Sequence, residues 1–194
     1  SQPDLARSLE RAGDNAAELK RAIAAIEPAY RADMEWLVST MPDVDLKAIK
    51  ADFLLKNVRL AEQARAKAPW GKDLPESMFR QYVLPYANVN ERRDDWRQDF
   101  MDRFSAEAWK RTDPIEAVRW INDHLPDMLN VHYHASKRKK PDQSPYESME
   151  LNYASCTGLS ILLIDACRAC GIPARMAGCP AWKVVQGNHN WVEV

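Results

Sequence analysis

Residues 156–175 read CTGLSILLIDACRACGIPAR, and the fold turns on this stretch. From Cys156 to Cys170 the pattern is helical, with Gly171 placed as the C-terminal cap. Leu159, Leu162, Leu163, Ala166 and Cys170 recur at three- and four-residue steps and form one buried face. Ile161 and Ile164 widen that face until the helix is apolar nearly all round, which predicts a central helix covered on more than one side. Cys156 stands in its first turn. There the unpaired amides and the positive end of the macrodipole favour a negatively charged sulfur. Buried cysteines also serve simply as small apolar residues, so position alone leaves both roles open.

After Gly171 the period changes. Residues 172–178 read as a strand leaving the helix, and residues 188–194, NHNWVEV, as a second strand. On the second, His189, Trp191 and Glu193 point to one face and Asn190, Val192 and Val194 to the other. A strand-borne His can face the start of a helix packed on the same sheet. Imidazole could then take the thiol proton, as in Cys–His acyl-transfer enzymes. Taken alone, a single strand His is more often structural.

Upstream the chain is helical. Leu5, Leu9, Ala12, Ala16, Leu19, Ile23 and Ile26 make one stripe, predicting a long amphipathic helix that ends near Pro28. A second helix is expected from Leu46 to Lys67, with Asp45 as N-cap and Ile49, Phe53, Leu54, Val58 and Ala61 facing inward. Shorter helices are expected at Glu76–Leu84 and Asp94–Lys110, where Trp96, Phe100 and Phe104 share a core-facing side. Asp113-Pro114-Ile115-Glu116 is a strong helix entry, with Asp as N-cap, Pro at the first helical position and Glu two residues on. That helix should loosen near Pro126. Ser144-Pro145-Tyr146-Glu147 opens another, running towards Asn152. The domain division falls near residue 112, separating a helical N-terminal region (1–112) from a core (113–194).

The charge balance, 27 Lys+Arg against 28 Asp+Glu, gives a net charge of −1 and lacks the basic excess of a nucleic-acid binder. The run Lys137-Arg138-Lys139-Lys140 reads as a solvated loop, or else as a site for anionic partners. No apolar run is long enough to span a membrane. The four cysteines at 156, 167, 170 and 179 do not form the dispersed framework of a small disulfide-rich fold. Cys167, Cys170, Cys179 and His189 could be drawn as a zinc set, but C-x-x-C zinc pairs usually sit in a turn, and here the pair lies late in an apolar helix. No metal and no cofactor are expected. His132 and His134 alternate on a short strand and read as structural or exposed.

Three stretches together, Cys156-Thr157-Gly158-Leu159-Ser160, then residues 168–175 (RACGIPAR), then residues 189–194 (HNWVEV), resemble the transglutaminase-like superfamily. The resemblance covers about residues 113–194. The helical front, with residues 82–86 (YVLPY), is similar to bacterial members with a helical N-terminal region. An α+β fold is implied: a papain-like core with a central Cys-bearing helix against an antiparallel sheet, incomplete in this chain. Cys156 would be the nucleophile and His189 the general base and acid. The reaction would be acyl transfer through a thioester, on an amide of a protein or peptide, giving cross-linking, deamidation or hydrolysis. A catalytically silent binding module keeping the same fold is the alternative. The family's third catalytic residue is an Asp on the strand after the His strand, and the sequence stops at Val194. Glu193 lies roughly 13 Å along the strand from His189 at about 3.3 Å per residue, too far to replace it. The rest of the catalytic domain is therefore expected beyond Val194 or from another chain. Many members carry Gly where this chain has Ala154. The Cys156 N–H is expected to supply one oxyanion donor, with Asn152 or Tyr153 as candidates for a second. The resemblance leaves the compartment open, export from a bacterium included.

Overall fold

The structure, a computed structural model, describes residues 4–181 and 187–194. The chain forms two compact units, residues 1–63 and 64–194. The first is all-helical: α1 (Leu5–Arg11), α2 (Ala16–Ala25), α3 (Arg31–Ser39), α4 (Asp43–Leu46) and the greater part of α5 (Ala51–Lys67).

The expected single helix over the first 26 residues is two helices. Gly13 takes a positive φ of 56°, a conformation that is cheap only for glycine, and a short 3-10 turn follows. The break lets Asn15 point inward, where its amide donates to the carbonyls of Leu46 and Ile49, both at 2.9 Å. The second expected helix likewise starts later, at Ala51 rather than Leu46. The carbonyls that Asn15 holds lie at the end of α4 and in the connection before α5, and Glu18 accepts the N–H of Ala51 at 2.9 Å. Both corrections have one cause. Asn15, just before α2, and Glu18, on it, organise the α4–α5 corner, and apolar periodicity does not record that.

The second unit contains α6 (Glu76–Tyr82), α7 (Arg97–Ala108), α8 (Pro114–Leu129), β1 (His132–Tyr133), α9 (Pro145–Leu151), β2 (Tyr153–Ala154), α10 (Cys156–Ala169), β3 (Arg175–Cys179) and β4 (His189–Glu193). β1 and β2 form a short parallel pair, and β3 and β4 an antiparallel one with Cys179 opposite His189 and Gly178 opposite Asn190. The architecture is α+β. Three helix entries follow the sequence closely. Asp113 caps α8 by accepting from Ile115 N, Ser144 and Glu147 form a reciprocal capping box on α9, and Ser155 caps α10 by accepting from Gly158 N.

α8 does not loosen at Pro126 but continues to Leu129. The carbonyl deprived of its bond is that of Asn122, an exposed residue, so water can take the place of the missing N–H. The helix stops at Asn130 in the left-handed conformation, φ 52°.

α10 is the centre of this unit, packed against α7, α8, α9 and both strand pairs. Ile161, Leu162 and Ile164 are fully buried with Phe100, Phe104 and Ile121. Its C-terminus is a Schellman turn: Ile172 N–H donates to Cys167 O, Gly171 N–H to Arg168 O, and Gly171 has φ 75°. The two carbonyls just past the helix are claimed by indoles. Trp109 Nε1 donates to Cys170 O at 3.0 Å and Trp70 Nε1 to Gly171 O at 2.8 Å.

Two buried arginines complete the frame. Arg168 donates to the carbonyls of Tyr82, Pro85, Ala87 and Ala174, and Arg97 to those of Val83, Leu84, Pro85 and Arg168. Burial pulls both guanidinium groups down, Arg97 to about 9, which still leaves it charged at neutral pH. Arg168→Met would strand the carbonyls of Ala87 and Ala174, while Pro85 O keeps Arg97 and Tyr82 O keeps the Ala174 N–H, and should cost about 3 kcal/mol in urea denaturation. Arg168→Lys should recover little of it, because an ammonium has no planar fork to reach the same set.

Candidate active site

Cys156, in the first turn of α10, is half-buried. The turn is held from both sides: Ser155 Oγ donates to Pro141 O at 2.9 Å while accepting from Gly158 N at 3.3 Å. A Cβ on Gly158 would lie 2.9 Å from that of Ala154, so β2 and the helix start are in close contact.

Cys156 and His189 line one cavity of about 400 Å³. Its walls are Leu125 and Pro126 from α8, Leu159 and Leu163 from α10, and Val192 from β4, with Tyr133 and Trp191 also lining it. Tyr133 is 61% and Trp191 38% exposed. Asn122, Ser160 and Asn190 add neutral polar groups. Among the described residues, no Lys, Arg, Asp or Glu lines it.

Leu159 and Leu163, expected on the buried face of α10, are only partly buried. With Cys156 and Ser160 they form a stripe at three- and four-residue steps facing the cavity, while the rest of the helix is enclosed. An almost uniformly apolar helix does not mark which stripe borders solvent. The cavity residues that sequence reading missed are Asn122 and Tyr133. Tyr133 lies between two histidines read as structural, and its large exposure has no counterpart in the sequence pattern.

On β4 the His189 and Trp191 rings stack, with centroids 6.1 Å apart and planes at 27°. Asn190, on the other face, donates to Thr157 Oγ1 at 2.7 Å. The residue after the histidine is thus bonded to the residue after the cysteine. Gly178 makes room for this contact, since a Cβ there would sit 2.2 Å from Asn190 Oδ1.

Asn152 is engaged elsewhere as a side chain. Its amide donates to Asn130 O and Met149 O, joining the left-handed ends of α8 and α9. The Tyr153 ring meets His134 and the Lys137 ammonium. In the basic run, Lys140 pairs with Glu147 at 3.1 Å, and the Lys139 N–H donates to Gln143. Cys167, in α10, and Cys170, at its C-cap, are sealed from solvent, and burial pushes the Cys167 thiol up to about 12 and Cys170 well above the usual thiol range. Among the described residues, no three His, Cys, Asp or Glu side chains come together as a metal site. No described helix is long and apolar enough to cross a membrane.

Residues 102–194, which include every residue lining the cavity, match a family model described as the transglutaminase-like superfamily. No curated protein and no solved structure matches the chain.

The Gly178–Asn190 contact is testable. Gly178→Ala should destabilise the protein by about 1–2 kcal/mol, a clash plus a lost hydrogen bond. In an Asn190→Ala background the same substitution should cost much less. A double-mutant cycle read by urea denaturation measures the coupling, and additive effects would show that Asn190 does not lie over Gly178.

Proposed function

Since residues 102–194 belong to the transglutaminase-like superfamily, we propose that this chain carries out cysteine-based acyl transfer, with Cys156 as nucleophile and His189 as general base and acid. Membership points to acyl transfer or hydrolysis through a cysteine, and transglutaminase-like domains act on protein substrates. What supports the residue assignment is that Cys156 and His189, from the two ends of the matched motifs, line one cavity. The catalytic core in this reading is a papain-like domain over residues 113–194, preceded by a helical region over 1–112.

In the proposed reaction the His189 imidazole takes the Cys156 thiol proton, and the sulfur attacks an amide carbonyl. The Cys156 N–H, in the first turn of the helix, donates to the oxyanion. Collapse returns the proton from His189 to the departing amine and leaves a thioester. An amine then yields a new amide, or water yields the acid, and the thiol is regenerated. The cavity wall carries no charged Lys, Arg, Asp or Glu among the described residues, and much of it is apolar. It therefore suits a neutral donor, a Gln side chain or a peptide amide, in an apolar setting.

Cys156→Ala should abolish hydroxamate formation from a glutamine-containing peptide and hydroxylamine, with the fold retained. Turnover surviving in that variant would rule the assignment out. With iodoacetamide, Cys156 should be alkylated before the half-buried Cys179, and the sealed Cys167 and Cys170 last of all. Equal rates at Cys156 and Cys179 would favour a silent binding module.

A further inference from the structure

Behind the active-site end of α10, its Asp165 is fully buried. Its Oδ1 accepts from Asn88 Nδ2 at 2.9 Å. Two buried side-chain oxygens among the described residues lack any hydrogen-bond partner, Asp165 Oδ2 and Asn88 Oδ1. They belong to the two partners of that one hydrogen bond. Each orphan is the second polar atom of a planar group whose first, Asp165 Oδ1 or Asn88 Nδ2, is already paired across the same contact.

We propose that Asp165 is a neutral carboxylic acid in the folded protein and forms a cyclic pair with the Asn88 amide. In this ring Asn88 Nδ2–H donates to Asp165 Oδ1, and the acid proton on Oδ2 donates back to Asn88 Oδ1. One proton satisfies both orphans. An ionised Asp165 would leave two acceptors facing each other in a dry interior, at the desolvation cost of each.

The charged neighbours are accounted for. Arg168, one turn further along α10, spends its donors on the carbonyls of Tyr82, Pro85, Ala87 and Ala174. Arg97, from α7, reaches the carbonyls of residues 83–85 and Arg168. Among the described residues, none of the ion pairs includes Asp165. Glu91, in the segment that carries Asn88, is buried, accepts from the N–H groups of Asn88 and Val89, and repels a carboxylate at 165. The Cys167 thiol beside it is also held neutral by burial. Burial is the largest influence on Asp165 and raises its carboxyl well above the ordinary range, against the smaller pull of Arg168, the Asn88 bond and Arg97.

The pair joins α10 to residues 88–91 without adding a buried charge, and it has a pH signature. A carboxyl raised in the folded state contributes its full stabilisation below the unfolded value of about 3.9 and loses it as pH rises towards the folded value. Asp165→Asn mimics the neutral acid, since its amide can donate to Asn88 Oδ1 and its carbonyl can accept from Nδ2. In urea denaturation of the full chain, the variant should be at least as stable as the parent at pH 7. The ratio of the parent's unfolding constant to the variant's should climb with pH above about 4, by up to tenfold per unit. A flat ratio, or one that falls with rising pH, would overturn the proposal. If the variant fails to fold, infrared spectra of the parent, with aspartate carboxyls isotopically labelled, decide at pH 7. A protonated-carboxyl band persisting there supports the cyclic pair. Its absence, as for an ionised Asp165 bridged to Asn88 by water, overturns it.

Discussion

The buried guanidinium groups of Arg97 and Arg168 are the constraint on which the second unit depends. Both are solvated by backbone carbonyls, most of them from residues 82–87, a segment that is neither helix nor strand after Tyr82. Irregular backbone in the interior must find partners for its polar groups, and a charge in the interior must find a solvation shell. Each solves the other's difficulty. The fan of guanidinium donors suits carbonyls that no regular ladder would take up.

This clamp fixes the far end of the helix that carries the proposed nucleophile. Arg168 lies in the last turn of α10, and the indoles of Trp70 and Trp109 close its end carbonyls. A helix held so firmly at one end, and enclosed along most of its length, presents its first turn at a defined place. There Ser155, Gly158 and the Thr157–Asn190 bond fix Cys156 against β2 and β4. The stripe of Cys156, Leu159, Ser160 and Leu163 is what remains facing the cavity.

Much of this was legible in the sequence because it rests on local rules. The caps at Asp113 and Ser144, the helix start at Cys156, the Gly171 stop and the two strands after it depend on residues within a few positions of one another. The breaks were not legible. Asn15 and Glu18 act on backbone more than 30 residues away, so a continuous apolar stripe concealed two helices. Pro126 was expected to disturb α8, yet the bond it removes belongs to an exposed carbonyl position, which only the tertiary structure reveals. The cavity was half legible. Cys156 and His189 stood out as chemistry, whereas Tyr133 and Asn122 take part through exposure, which leaves no periodic mark.

The charges along α10 are ordered in one sense. A cation at a helix C-terminus complements the negative end of the macrodipole, and Arg168 occupies that position with Arg97 bonded to its carbonyl. At the other end the positive pole is left facing a cavity whose described wall carries no carboxylate. Were Asp165 ionised, one turn before Arg168, its field would oppose any negative charge developing on the Cys156 sulfur, in a setting where little water intervenes to screen it. Neutralised against Asn88, it removes that opposition while keeping the anchor. The acid proton at 165 and the carbonyl-solvated guanidinium groups thus favour the same outcome, a helix whose N-terminus can support an anion in the proposed acyl transfer.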